Sequence, residues 1–273
     1  VDNVVDFLLN VAGVDISGNY NANLAQGTIT LPSFYPGDSS GPAGWYDAVT
    51  GYWETSGVVY QSTSDAPNTS FPTRYNTTAV ARPETQVPVL VMTPNHVDAP
   101  WPVVIFQHGI TRSRFDATAF TIFLCSQGFA VVSMDAPLHG TTEGNPYWAG
   151  HGPIAGEQIG EERTLGIDLA DNVTGLPTGF DENGIPIGDG IPEASGDYFL
   201  NFPSLISSRS VWMQAVCDLA MLTETLPTWD FDGNPATGSV TGADFTDEIH
   251  YMGMSLGGLI GTTFLSAMPA GKI

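Results

Sequence analysis

Basic side chains are scarce: 7 Lys and Arg stand against 29 Asp and Glu in 273 residues, a formal net charge of −22. Phosphate-rich partners need clustered Lys and Arg, so this balance argues against nucleic acid or an anionic membrane as an electrostatic partner. No stretch approaches the roughly 18 to 20 uninterrupted apolar residues of a bilayer-spanning helix, so none is expected. Cysteine is nearly absent. Cys125 and Cys217 both fall on apolar helical stretches, where a free Cys behaves as a small buried hydrophobe; a disulfide is the alternative, and neither fixes the redox compartment. There is no internal repeat. The chain starts at Val1 without an initiator Met or a basic-then-apolar leader, so any export signal is expected to have been removed or to lie outside this sequence.

What is present suffices for a packed core. Hydrophobic residues make up 42% and charged residues only 13%, which excludes global disorder. The 31 glycines and 20 prolines cluster, and the clusters divide the chain. Residues 1–85 read as a β-rich segment with long loops, with strand candidates at Gly27 to Pro32 and Gly57 to Gln61. Residues 86–273 read as α/β. Val87 to Met92 and Trp101 to Gln107 are the continuous apolar runs of a sheet buried on both faces. A helix is expected next, capped by Ser113, burying Phe115, Ala119, Ile122 and Phe123, and stopped by Gly128. Phe129 to Met134 then completes a strand, helix, strand unit with parallel neighbours.

An insert at 137–205, rich in Gly, Pro, Asp and Asn, is longer than ordinary connections and reads as a lid or binding element. Beyond it, Val211, Ala215, Leu219, Leu222 and Leu226 share one helical face that ends at Pro227. A strand from Glu248 to Met252 leads into a last helix with Leu256, Leu259, Ile260 and Phe264 along one side.

Gly-x-Ser-x-Gly occurs twice, and so many glycines make a single match cheap. Gly37-Asp38-Ser39-Ser40-Gly41 lies between Pro36 and Pro42, with no strand expected before it and no helix after it, and reads as a turn. Gly253-Met254-Ser255-Leu256-Gly257 lies between a strand and an amphipathic helix, the setting of a nucleophile elbow. There a serine is held in a strained turn, and glycines two residues to either side let strand and helix pass closely. A glycine-rich turn with a merely capping serine is the bland alternative.

His108-Gly109 directly follows the strand ending at Gln107, so the turn after it belongs at the same carboxyl edge as Ser255. Acyl transfer puts negative charge on a carbonyl oxygen, and two fixed N–H donors stabilise it. The candidates are the backbone amides of Ile110 and Leu256. An ordinary strand-end turn, with His108 in a structural hydrogen bond, is the alternative.

Gln107-His108-Gly109-Ile110-Thr111, Met134-Asp135-Ala136-Pro137-Leu138-His139-Gly140 and Gly253-Met254-Ser255-Leu256-Gly257, in that order, resemble the bacterial virulence-factor lipases of the α/β-hydrolase superfamily. That resemblance runs from about residue 25 onward. It implies an α/β-hydrolase core, Ser255 as nucleophile, and an extracellular or outer-membrane-surface lipase, phospholipase A1 or lysophospholipase acting on lipid esters, with peripheral membrane contact and no organic cofactor. A general carboxylesterase or peptidase would share these motifs, and a noncatalytic surface module would keep the fold.

One departure stands out. In this fold the acid and then the histidine follow the serine, yet none of the 18 residues after Ser255 is Asp, Glu or His. His96, His108, His139, His151 and His250 all precede it, and His250 on the incoming strand is expected to lie too low to reach. The chain therefore reads as the amino-terminal portion of a longer hydrolase, its core incomplete for want of carboxyl-terminal strands. Acid and base are expected on the remainder, which is also expected to cover the strand before Ser255.

Weaker signals complete the reading. Asp181, Asn183 and Asp189, and separately Asp230, Asp232 and Asn234, are oxygen donors beside glycines that can wrap calcium, although neither set reproduces an EF-hand loop; solvated turns are the alternative. Arg112 and Arg114 can attract a phosphate or pair with nearby carboxylates. Asp135 and His139 can line the site or serve the structure.

Overall fold

The computed structural model describes residues 2–3, 22–56, 70–74, 76–141, 162–230 and 243–273. Eight strands and four α-helices are found there: β1 (Asp2–Asn3), β2 (Ala22–Ser33), α1 (Pro42–Thr50), β3 (Arg82–Pro94), β4 (Trp101–Gln107), α2 (Thr118–Ser126), β5 (Ala130–Met134), β6 (Gly179–Phe180), β7 (Pro186–Ile187), α3 (Leu205–Thr225), β8 (Phe245–Gly253) and α4 (Leu256–Ala267). Six strands form one sheet in the order β1-β2-β3-β5-β4-β8, and β6 and β7 make a small hairpin. From β1 to β5 neighbours are antiparallel, whereas β5, β4 and β8 run parallel.

The pleat sorts successive apolar residues to opposite faces. Val89 and Val91 of β3 enter the larger core together with Val211, Leu219 and Leu222 of α3 and Ile260 and Phe264 of α4. Leu90 and Met92 enter a smaller core with Phe106, Phe115 and Cys125. Helix α2 therefore covers one face, and α3 and α4 cover the other. Strand β4 exits toward the α2 face and its neighbour β8 exits into α4, so the crevice at their carboxyl ends is a topological switch point. This is a mixed α/β fold with an open, incomplete sheet, the arrangement of a partial α/β-hydrolase-like core. Among the described residues β8 is an edge strand, paired with β4 alone.

Several expectations change in detail. The Gly37 to Gly41 stretch is a bend, with Ser40 N–H donating to Asp38 Oδ1 at 2.8 Å, but a helix does follow it. Helix α1 begins with Pro42 in its first turn and buries only Gly44, Ala48 and Val49, residues too small to show as an apolar stripe. In α2 the buried positions are Thr118, Thr121 and Cys125, while Phe123 is exposed. The threonine hydroxyls donate to the Phe115 and Ala117 carbonyls at 2.7 and 2.9 Å and so can be buried. Ser113 makes no side-chain cap. Gly128 takes φ 88 and ends the helix as expected. Leu259 faces solvent, unlike Leu256, Ile260 and Phe264. Cys125 and Cys217 are free thiols in different layers, so there is no disulfide between them.

The strand candidate Gly57 to Gln61 lies outside the described residues, as do 142–161 of the insert. The rest of the insert is anchored: Ile167, Leu169 and Phe199 are buried in the larger core. No helix among the described residues is long and apolar enough to cross a membrane.

Candidate active site

The turn between β8 and α4 is tied to the end of β4. Met254 N–H donates to Gln107 O at 3.0 Å, and Gly257 N–H donates to Met254 O at 2.8 Å. Tyr251 caps the arrangement from the strand, its hydroxyl donating to Gly257 O at 2.6 Å. There is no room for side chains. A Cβ on Gly253 would lie 2.5 Å from the Gly257 carbonyl, and one on Gly257 would lie 2.2 Å from Gln107 O. Ser255, at the apex, has φ 51 and ψ −114, makes no side-chain cap to α4, and is exposed. A non-glycine residue holds such a conformation only where its surroundings enforce it.

Facing it is the turn after β4. A Cβ on Gly109 would sit 3.3 Å from Ser255 Cβ, so the two segments are in contact. Arg112 N–H donates to Gly109 O at 3.3 Å, closing a turn through Ile110 and Thr111, and Thr111 has φ 63. Leu256 is the first residue of α4, so its N–H belongs to the group a helix leaves without an internal acceptor. Ser255 thus lies against Gly109 at the crevice between β4 and β8, with Leu256 and Ile110 next to them in the chain.

Beneath this edge lies a buried polar framework. His108 is fully buried, with Nδ1 2.7 Å from Gly109 O and Nε2 accepting Ala136 N–H at 3.0 Å. Burial pushes its pKa down, with Asp135, 3.7 Å away, opposing. Asp135 Oδ1 accepts Arg114 N–H at 2.6 Å, and its other oxygen pairs with the Arg114 guanidinium. Arg114 also grips both oxygens of Glu162 at 3.0 and 3.1 Å, and Glu162 accepts the amide and hydroxyl of Thr141, each at 2.9 Å. Burial disfavours the Arg114 charge, but Asp135 and Glu162 outweigh it and raise its pKa. Arg163 donates to Asp135 O at 2.7 Å and pairs with Asp218 of α3 at 2.7 Å.

Two proposed lining residues are placed differently. Asp135 and His139 are fully buried instead of lining an open surface. The His139 Nδ1 lies 3.0 Å from Pro137 O, its ring meets His108 and Phe199, and burial together with His108 pushes its pKa down to about 3. Arg112 remains half-exposed but makes a two-pronged bond to Asp116 at 2.7 and 2.8 Å, the carboxylate pairing rather than a free anion site.

His250 lies on β8 with Nε2 3.1 Å from Glu248 Oε1, and His96 is exposed in the loop after β3. His151 lies outside the described residues. Asp181 Oδ1 accepts the amides of Asn183 and Ile185, and Asp189 accepts those of Asn172 and Ile191, so both act as turn formers. Among the described residues no group of three or more His, Cys, Asp or Glu is placed to hold a metal. Asp232 and Asn234 lie outside them. A cleft of about 790 Å³ opens over β2 and β3, lined by Tyr35, Arg82, Leu138 and Arg163 among others, but Ser255 and Gly109 do not line it.

Comparison with known proteins adds limited relationships. A family model described as platelet-activating factor acetylhydrolase, isoform II, matches residues 68–139, which include the turn after β4 and the end of β5. No curated protein matches. Among solved structures the chain is similar to a ferulic acid esterase from Streptomyces cinnamoneus, at 13% identity over 90% of this chain and 56% of that one, with a TM-score of 0.38. It is also similar to an acetyl xylan esterase from Paenibacillus sp. R4 (14%, 66% and 40%, 0.28) and to acetyl xylan esterase 1 from Thermoanaerobacterium sp. JW/SL YS485 (14%, 86% and 56%, 0.30). The chain spans about half the length of these proteins.

Proposed function

We propose that this chain is the nucleophile-bearing part of a serine hydrolase that cleaves carboxylic esters. One observation carries the reading: Ser255 is exposed at φ 51 on a glycine-bounded turn, against Gly109. In this reading Ser255 Oγ attacks the ester carbonyl and loses its proton to a histidine. The Ile110 and Leu256 amides receive the oxyanion, the alcohol leaves, and water releases the acyl group from Ser255. Each well-placed donor contributes about 3 kcal/mol to the transition state. His108 and His139 are buried with their own partners and His250 lies beside Glu248, so none of these three is cast as the base; base and acid are proposed to follow residue 273, in the chain order of this fold. The strands that follow would pair with the open edge of β8.

The general carboxylesterase reading has the broader support, because the proposed serine and oxyanion donors call for an acyl carbonyl and say nothing about the alcohol. A narrower reading, a lipase, phospholipase A1 or lysophospholipase working outside the cell with peripheral membrane contact, rests on the motif resemblance; the family model matched over residues 68–139, described as platelet-activating factor acetylhydrolase, isoform II, supports ester hydrolysis in general.

The test uses the full-length protein and a fluorophosphonate probe. Wild type is expected to be labelled and Ser255→Ala not; equal labelling overturns the assignment. Turnover of short-chain, long-chain and phospholipid esters then separates the two readings, and a peptide substrate tests for peptidase activity.

A further inference from the structure

His108, fully buried at this edge, has no place in the bond-making steps, yet it touches the backbone that does. Gly109 O can only accept, so His108 Nδ1 at 2.7 Å must carry the proton; Ala136 N can only donate, so Nε2 at 3.0 Å must be bare. The two bonds fix one neutral tautomer. A second proton would set N–H against N–H, and full burial disfavours the charge as well.

The consequence lies one bond further on. Across a planar trans peptide the carbonyl of Gly109 and the N–H of Ile110 point in opposite directions, so holding one aims the other. The turn's own bond from Arg112 N–H to the same carbonyl is longer, 3.3 Å. His108 therefore supplies the tighter of two restraints on that peptide. Thr111, at φ 63, occupies a region costly for a β-branched residue, so the turn needs holding. Through Ala136 the histidine is fastened to the end of β5, where Arg114 in turn fastens Asp135.

Resting on the ester-hydrolase reading, we propose that His108 is the positioning residue of the oxyanion site: its Nδ1–H holds the Gly109 carbonyl and thereby aims the Ile110 amide at the oxygen that gains charge when Ser255 attacks. It touches no reacting atom. Because the aim matters only once charge develops, its loss lowers kcat and leaves KM nearly unchanged.

Two substitutions separate this from a structural role. An asparagine amide reaches the place of Nδ1, so His108→Asn keeps a donor for Gly109 and loses the acceptor for Ala136. A glutamine reaches the place of Nε2, so His108→Gln keeps the Ala136 bond and loses the Gly109 bond. Each removes one buried hydrogen bond, and melting temperatures should fall by similar amounts.

In the full-length protein, with p-nitrophenyl acetate as substrate, kcat is expected to fall about 100-fold in His108→Gln, the scale of losing one oxyanion donor. His108→Asn should retain kcat within about fivefold of wild type, and KM should change by less than about threefold in both. Equal kcat losses that track the melting temperatures overturn the proposal. Should His108→Gln not fold, a loss of about 30-fold or more in folded His108→Asn overturns it alone. A fluorophosphonate arm with wild type and Ser255→Ala identifies which idea has failed. Labelling that does not depend on Ser255 sinks both, whereas serine-dependent labelling with indistinguishable histidine variants sinks only this one.

Discussion

Gly257 lies against Gln107 so closely that a Cβ would come within 2.2 Å of its carbonyl oxygen, whereas Gly258, the next residue, has nothing nearer than 3.6 Å. Neighbouring glycines on one helix thus have opposite reasons to exist. Gly257→Ala must push the first turn of α4 off β4, and a loss of about 2 to 3 kcal/mol in urea unfolding, with loss of activity, is expected. Gly258→Ala gains helix propensity without a clash and should stabilise by roughly 0.5 to 1 kcal/mol. Comparable losses from both substitutions would show that the crossing is looser than described.

The strain at Ser255 gives a second expectation. Ser255→Gly accepts φ 51 freely, while Ser255→Ala keeps the Cβ and the strain. Both should be inactive, but the glycine variant should be the more stable by about 1 kcal/mol. Thermal melts of the pair decide the point, and an alanine variant of equal or greater stability contradicts it.

Arg114 is 1% exposed between two carboxylates. Arg114→Met leaves Asp135 and Glu162 buried without their cation and should cost about 3 to 5 kcal/mol. Arg114→Lys keeps the charge but cannot grip both partners through paired N–H groups, so it should still be measurably destabilised. Denaturant midpoints for both variants test this. A methionine variant as stable as wild type would mean that the ionic cluster adds nothing.

Acid should weaken the fold through His139. Folded, it stays neutral down to about pH 3; unfolded, it takes up a proton below its ordinary value near 6.5. Between those limits the unfolded chain binds more protons, so unfolding free energy rises with pH, by up to about 1.4 kcal/mol per unit, and levels off above 6.5 as far as this residue is concerned. Asp218, whose pKa burial raises with Arg163 opposing, works in the other direction. The comparison is therefore between wild type and His139→Phe, measured by urea midpoints from pH 4 to 8. The variant should show a flatter profile below 6.5, and parallel profiles would exclude His139 as the source.

The legible parts of this chain were those in which one force dominates. The apolar runs of β3, β4 and β5 and the stripe Val211, Ala215, Leu219, Leu222 and Leu226 leave one way to bury that surface, and all five stripe residues are buried. The tight turn between β8 and α4 was legible because Gly253 and Gly257 mark a close crossing that no side chain survives. Helix α2 was misread because periodicity scores threonine as polar and phenylalanine as buried. Thr118 and Thr121 satisfy their hydroxyls on the preceding turn, and Phe123 turns outward. Helix α1 hid behind Gly41 and Pro42, which mark a loop and a helix start equally well.

The framework under the site shows the limit of local reading. Arg114, Asp135, Glu162, Arg163 and Asp218 are spread over more than 100 residues, and no spacing rule joins them. The scarcity of cations was the available signal: with only seven in the chain, those sharing a sheet edge with many carboxylates were bound to be paired. Which carboxylate each would find depended on the folded sheet, in which β4 and β5 lie side by side and bring Arg114 to Asp135.

The grip of Glu162 on the amide and hydroxyl of Thr141 makes two distant stretches share one anchor. Glu162 also holds Arg114, which holds Asp135, so the point where the chain passes 141 and 162 and the end of β5 are fastened by one ionic group. A single change at Glu162 would loosen both places at once.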